Sequence, residues 1–345
     1  MIARRTFLEI TAGAAVTAVA GACRSSSQSD RDAARLRVML NGGIYEELAR
    51  RLVIEPFEKE SGVRVDVVPA SAAQIVTRLM AERSAPSVDV VIVDQLVMGK
   101  AIDEGVFERI EPGNVPHMRD LAPEAIDPRG FGPMVHSHNL VLGFNTKLLS
   151  TNPPKAWADL WDARFKGLVV PGAIGLTPGV LFLLQANALN GGTYENVDPG
   201  FAALARLRPN VRKYFQNIGE VRPLVSQDNV IVAISSNMLQ VEIAQGSPVG
   251  IVFPDEGCLA SPAVAQVVRG TRAKELAERF IDRYLDPEVQ LAWAREYNVS
   301  VFNTKAAVPE DVLARIANKV VFFDANEVSR RREAWVDRWM REVRG

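Results

Sequence analysis

Three groups of residues carry side chains or backbone groups able to do chemistry. The stretch "PGAIGLTPG" (171–179) sets Gly172, Gly175 and Gly179 around Thr177 and Pro178, which stand where an N-cap and a first helical residue would stand. A helix that begins there leaves its first N–H groups unpaired, and its dipole favours an oxygen-rich or anionic group. A flexible turn with an ordinary cap is the competing reading. Small polar residues also recur in "LNGG" (40–43), "VDQ" (93–95), "ISSN" (234–237) and "PDEG" (254–257). Finally, His136-Ser137-His138 places two imidazoles on one side of an extended strand. Two neutral imidazoles could begin a metal site that Asp94 or Asp255 completes. No third ligand is fixed by spacing, so a strand with two hydrogen-bonded histidines is the favoured reading.

No catalytic pattern accompanies these groups. The chain lacks G-x-S-x-G, H-E-x-x-H, G-x-x-x-x-G-K-[ST] and C-x-x-C, and its 3 histidines and scattered carboxylates form no constellation along the sequence. No enzyme activity and no cofactor are therefore expected. A net charge of −1 with mixed signs argues against nucleic-acid binding, which needs a basic stripe.

The elements that must position these groups alternate in period. "LRVML" (36–40), "VRVDVVPA" (63–70) and "VDVVIVD" (88–94) read as strands. Residues 44–62 and 72–83 read as helices, and a short helix runs to about Glu104. After residue 150, "WADLWDARFKG" reads as a helix, "LVVPG" as a strand, and a helix begins at Thr177. Strands follow at 229–236 and 249–254 around a helix at 237–246. Helices fill 272–285, 287–297, 309–319 and 326–343, the second and third starting at prolines. Such alternation makes an α/β fold with a parallel sheet covered on both faces. In open sheets of this kind ligands sit beyond the carboxyl ends of strands, where the polar quartets fall. In the last helix Trp335 and Trp339 share a face and dock it, while its arginines are expected in solvent.

The N-terminus is an export signal. Arg4 and Arg5 precede a weakly apolar run from Ile10 to Ala22, shorter than the roughly 20 residues of a membrane span. Arg4-Arg5 with Phe7-Leu8 resembles a twin-arginine signal. Ala20-Gly21-Ala22-Cys23 resembles a lipoprotein box, with Cys23 lipidated after removal of residues 1–22, although Ala20-x-Ala22 would also suit ordinary signal peptidase. Residues 23–35 then form a flexible tether to a membrane touched only through the lipid. Cys258 has no second mature cysteine to pair with if Cys23 is lipidated, and reads as a small buried hydrophobe. About 310 mature residues exceed what one core usually serves, so two lobes are expected.

Several stretches together resemble a known family. "VDVVIVDQLVMGKAIDEGVFERIE" (88–111), "GFNTKLL" (143–149), "PPKAWADLWDARFKGLVVPG" (153–172) and "FNTKAA" (302–307) are similar to periplasmic solute-binding proteins of the spermidine/putrescine and iron type, partners of ABC importers. The resemblance runs from about Leu36 to Arg344. It implies a two-lobed periplasmic-binding-protein-like fold (type II) with the ligand cleft between lobes that close like a hinge. Crossings then fall near 136–143, 259–263 and 300–304. Lobe one takes 36–137 with 262–303, and lobe two takes 138–261 with 304–345. Implied partners are a small-molecule ligand and a membrane permease, with the binding protein a monomer in the periplasm or at the cell surface.

Where polyamine binders carry a cage of aromatic rings and carboxylates, this chain departs. The family's cage positions fall on Asn41, Ile44, Asp94, Leu96, Gly172–Gly175, Ser235, Ser261 and Ala263, so a polyamine is disfavoured. Iron binders use adjacent tyrosines, and the 5 tyrosines here include no adjacent pair. The expected ligand is a small polar solute bearing a carboxylate, phosphate or phosphonate. Thr177, Gly175 and neighbouring N–H groups would take the anion, while Asn41, Gly42, Ser235, Ser236, Asn237 and Ser261 bond the rest. Asp94 would meet an amine, as in an amino-acid-like or opine-like compound. Polyamine or ferric-ion binding, and ligand sensing, stay open as alternatives.

Overall fold

The computed structural model describes residues 35–228, 230–317 and 319–343. The export signal, Cys23 and nearly all of the tether lie outside them. The chain opens with β1 (Arg35–Leu40), α1 (Ile44–Ala49), a π-helical stretch (Arg50–Ile54) and α2 (Glu55–Ser61). The expected single helix over 44–62 widens at its middle because Pro56 has no N–H to give the residue-52 carbonyl. Next come β2 (Arg64–Pro69), α3 (Ala72–Ala81), β3 (Val90–Asp94) and α4 (Gly99–Asp103). Ser71 and Gln74 cap α3 reciprocally, as a capping box.

The long β4 (Met134–Asn145) leads to β5 (Val169–Val170), α5 (Thr177–Leu189), α6 (Asp198–Leu207) and α7 (Val221–Gln227). Then follow β6 (Ile231–Ser235), α8 (Ser236–Ala244), β7 (Val249–Val252) and the second long strand, β8 (Cys258–Val267). The C-terminal third holds α9 (Lys274–Leu285), α10 (Pro287–Tyr297), α11 (Glu310–Leu313), β9 (Val320–Val321) and α12 (Ala325–Glu342). Among the described residues no helix is long and apolar enough to cross a membrane.

One sheet runs β2-β1-β3-β8-β4-β6-β5, with β7 beside β4 and β9 beside β8. Pairs at its two ends are parallel, and the central β3–β8–β4–β6 pairs are antiparallel. β8 lies against β3 with residues 263–267 and against β4 with residues 260–264, and every one of its residues is buried. Side chains alternate between two faces, as period 2 demands. Leu36, Val38, Leu40, Val90 and Ile92 enter one core with α9 and α10, whereas Met39, Val91 and Val93 enter another with α3. In the other half, Leu140, Leu142 and Ala233 join α5 and α12, while Val141, Val232 and Cys258 join a fourth cluster. Burial pushes the Cys258 thiol up to about 12, so it is an inert hydrophobe.

Two elements differ from the sequence reading. The expected helix "WADLWDARFKG" is a pair of 3₁₀ turns, Ala158–Trp161 and Ala163–Phe165. Its aspartates take the backbone donors a helix would need: Asp159 accepts from Lys155 and Ala156, and Asp162 from Arg164. The turns still send Trp157, Leu160 and Phe165 into one core. The expected helix over 309–319 is only Glu310–Leu313; its continuation bends so that Ile316 reaches the small cluster of Ala294 and Val312.

Trp157 is fully buried and its Nε1 donates to Gly257 O at 2.9 Å, tying this segment to the start of β8. Trp157→Ala should cost about 3–5 kcal/mol in a urea-unfolding experiment, and a loss below about 1 kcal/mol would show that the segment collapses into the gap.

Candidate functional site

Sheet register assembles the site. Asp94, the last residue of β3, stands opposite Ala263 of β8. Two residues along β8, on the same face, Ser261 stands opposite His138 of β4. Two residues further along β4, Leu140 stands opposite Ser235, the last residue of β6. Asp94, Ser261, His138, Leu140 and Ser235 therefore line up across one face of the sheet. The start of α5 and the end of α10 approach from above, enclosing a cavity of about 220 Å³.

Asp94 is the charged residue of the lining. Its Oδ2 accepts from Ser261 Oγ at 2.8 Å and its Oδ1 from the Leu96 N–H at 2.9 Å. Desolvation raises its pKa above the ordinary carboxylate value, opposed by those hydrogen bonds, by the Arg332 charge and by the Thr177 hydroxyl. Leu140, Pro178, Leu181, Ile218, Ile234 and Met238 make an apolar wall. His138, Asn237 and Tyr297 make the remaining polar side. Burial lowers the His138 pKa to about 4, so its ring is neutral at pH 7, and the Tyr297 phenol is pushed up to about 12. Asn237 is buried with its Oδ1 unpaired, beside both rings.

Of the residues singled out in the sequence, Asp94, Thr177, Ser235, Asn237 and Ser261 meet at the cavity. Asn41 and Gly42 do not; they sit exposed after β1. Ser236 is buried just behind the wall with its Oγ unpaired. Gly175 lies outside the lining, its carbonyl accepting from Arg332 Nη2 at 2.7 Å. That half-buried arginine corrects the expectation that every arginine of α12 is solvated.

The helix start also differs from the expectation. Leu176, not Thr177, is the N-cap of α5, and no side chain caps it. The Leu176 carbonyl takes the N–H groups of both Gly179 and Val180, and Pro178 has none. Of the first four positions, the Thr177 N–H is the one not spent on the loop. A helix dipole remains, with one donor rather than a cradle.

Of the two histidines expected to be hydrogen-bonded, His138 has Asn237 as its partner and His136 has none among the described residues. His136 stacks on Trp293 at 5.2 Å and meets Tyr45 at 5.4 Å, and neither of its ring nitrogens has a partner among the described residues. His138 Nδ1 is likewise unpaired. The groups around His136 are rings from α1 and α10, which offer π surface in place of acceptors. Among the described residues no group of three His, Cys, Asp or Glu side chains is arranged to hold a metal ion.

Tyr297 and the apolar wall were not marked in the sequence. The one available signal for Tyr297 was an aromatic residue closing a helix just before the expected crossing at 300–304. That crossing pairs Ser300 with Ser137 through two backbone hydrogen bonds, and Asn298 before it adopts a left-handed φ of 53°.

Residues 85–327 match the family described as bacterial extracellular solute-binding protein. A γ-aminobutyric acid-binding protein of Pseudomonas aeruginosa is 28% identical over 308 residues, 86% of this chain and 83% of that one. A periplasmic protein of Salmonella typhimurium named for binding 2-aminoethylphosphonate is 28% identical over 248 residues, 68% of each chain. The crystal structure of an ABC transporter protein from Clostridium perfringens superposes with a TM-score of 0.77 at 21% identity, covering 89% of this chain and 99% of that one.

Because His138 is held at about 4 and His136 also below the free value of 6.5, the unfolded chain binds more protons between these values. Their contribution to stability is complete above pH 6.5 and is lost as pH falls toward 4. Asp94, with its raised pKa, works in the opposite sense. In urea unfolding at pH 7.5 and pH 5, His138→Gln should show a smaller loss than the wild-type protein; an equal loss would mean that the ring is not desolvated.

Proposed function

The chain belongs to the family of bacterial extracellular solute-binding proteins, and on that premise we propose that its solute is a small compound carrying both an amine and an acidic group. The observation that carries this reading is the position of Asp94, a charged group desolvated in a cavity of about 220 Å³ whose opposite wall is apolar. A buried carboxylate has about four lone-pair sites, so with Ser261, Leu96 and Thr177 as donors Asp94 keeps one for an ammonium group. The Leu140, Leu181 and Ile218 surface suits a short methylene chain. The Thr177 N–H at the start of α5, with Ser235 and Asn237, would hold the acid, while Ser261 stays with Asp94. Two relatives named for amine-bearing acids, γ-aminobutyric acid and 2-aminoethylphosphonate, support the same chemical class. Asn41, Gly42, Gly175 and Ser236 would act from outside the first contacts.

In this reading the lobes, 36–137 with 262–303 and 138–261 with 304–345, close on the solute. Asp94 and Tyr297 come from one, and Thr177 and Asn237 from the other. A monomer then presents its closed form to an ABC permease, without turnover of the solute. Residues 1–22 direct export by the twin-arginine route, and Cys23 carries the lipid that holds the protein at the membrane.

Calorimetry and thermal shift with γ-aminobutyric acid, 2-aminoethylphosphonate, putrescine and simple phosphonates test the solute class. An amine-bearing acid should bind, and Asp94→Asn should weaken it by about tenfold or more, the worth of a charge-assisted hydrogen bond. Binding of amine-free anions alone, undiminished in Asp94→Asn, would sink the reading. Separately, Cys23→Ser should release the protein from the membrane fraction; retention there would rule out the lipid anchor.

A further inference from the structure

We propose that Arg332 is a specificity-determining residue, a positive charge held at the Gly175 loop that opens α5, which suits the cavity to a zwitterion and unsuits it to a dication. This inference rests on the amine-and-acid reading above. Arg332 Nη2 donates to Gly175 O at 2.7 Å, which pins the guanidinium to the loop that opens α5. It is coupled electrostatically to Asp94 without forming a direct ion pair with it.

Three other arginines of α12 are matched to carboxylates. Arg330 and Arg331 pair with Glu327, and Arg338 pairs with Glu342 and Asp198. Arg332 has a carbonyl in place of a carboxylate as its hydrogen-bond partner, and Asp94 is the carboxylate its charge acts on. Partial burial keeps water from screening it, and its field reaches Asp94 and the cavity more strongly than a surface charge would.

The helix that carries it has little freedom to move away. A Cβ on Gly99 of α4 would lie 2.5 Å from the Ser329 Cβ, so the two helices touch backbone to side chain. Leu96, whose N–H bonds Asp94, is buried in the same core as Val328 and Trp335. Arg330 also faces Asp103 at 3.9 Å. In this arrangement α12 packs against the segment that follows Asp94 and brings Arg332 beside it where the two lobes meet.

A solute with one ammonium and one acid brings each charge to its opposite. A solute with two ammonium groups must place the second in the field of Arg332, uncompensated. The position thus works on selectivity through charge without touching the solute.

Calorimetry with γ-aminobutyric acid and putrescine, on the wild-type protein, Arg332→Gln and Arg332→Lys, tests this. Arg332→Gln should shift the ratio of the two affinities toward putrescine by on the order of tenfold. Arg332→Lys, which keeps the charge and loses the guanidinium geometry, should hold the ratio near that of the wild type. Equal weakening of both probes by Arg332→Gln would show that the arginine only braces the Gly175 loop, overturning this inference while leaving the solute class intact. Failure of γ-aminobutyric acid and 2-aminoethylphosphonate to bind the wild-type protein would overturn the reading of the site and this inference with it.

Discussion

The antiparallel pairing of β4 with β8 is the constraint on which the molecule depends. These two buried strands belong at once to the sheet of each half, and their register decides which side chains meet between them. A slip of one residue would turn His138, Leu140 and Ser261 to the opposite face and leave Asp94 facing nothing. The hydrogen-bonded ladder also explains why a cavity can exist there. Apolar side chains fill each half of this face, and the polar residues fall where the two cores part.

Energetically the site is expensive, and its expense is the source of its selectivity. Asp94 loses water, and Ser261, Leu96, Thr177 and Arg332 offset that loss only in part, since its pKa remains raised. A solute that brings a positive charge supplies the missing compensation. The unpaired Oδ1 of Asn237 works in the same direction, because a buried polar atom without a partner gains most from a ligand that offers one. The same logic makes the site sensitive to the sign and number of charges a solute carries.

Much of the architecture was readable from periodicity because burial on both faces leaves a plain signature. "VDVVIVD" could only be an inner strand, and residues 287–297 form a helix with the bounds its proline start suggests. Two of the misread segments share one cause. At 158–165 and at 176–180, short-range competitors for backbone donors, two aspartates in one case and a proline with the Leu176 carbonyl in the other, replaced the regular pattern. Asn41 looked equivalent to Asp94 because both end strands, yet β1 has no long crossing strand beside it and Asn41 is left in solvent.

By itself the sequence determined the alternating α/β elements and the polar residues at strand ends, since each depends on neighbours a few positions apart. Only the tertiary structure decided which of those residues face one cavity, that an apolar wall and Tyr297 complete it, and that Arg332 is held at the Gly175 loop within electrostatic reach of Asp94. These relations join positions more than two hundred residues apart, such as 94 with 332 and 297. They are set by strand register and helix docking, which no local pattern encodes.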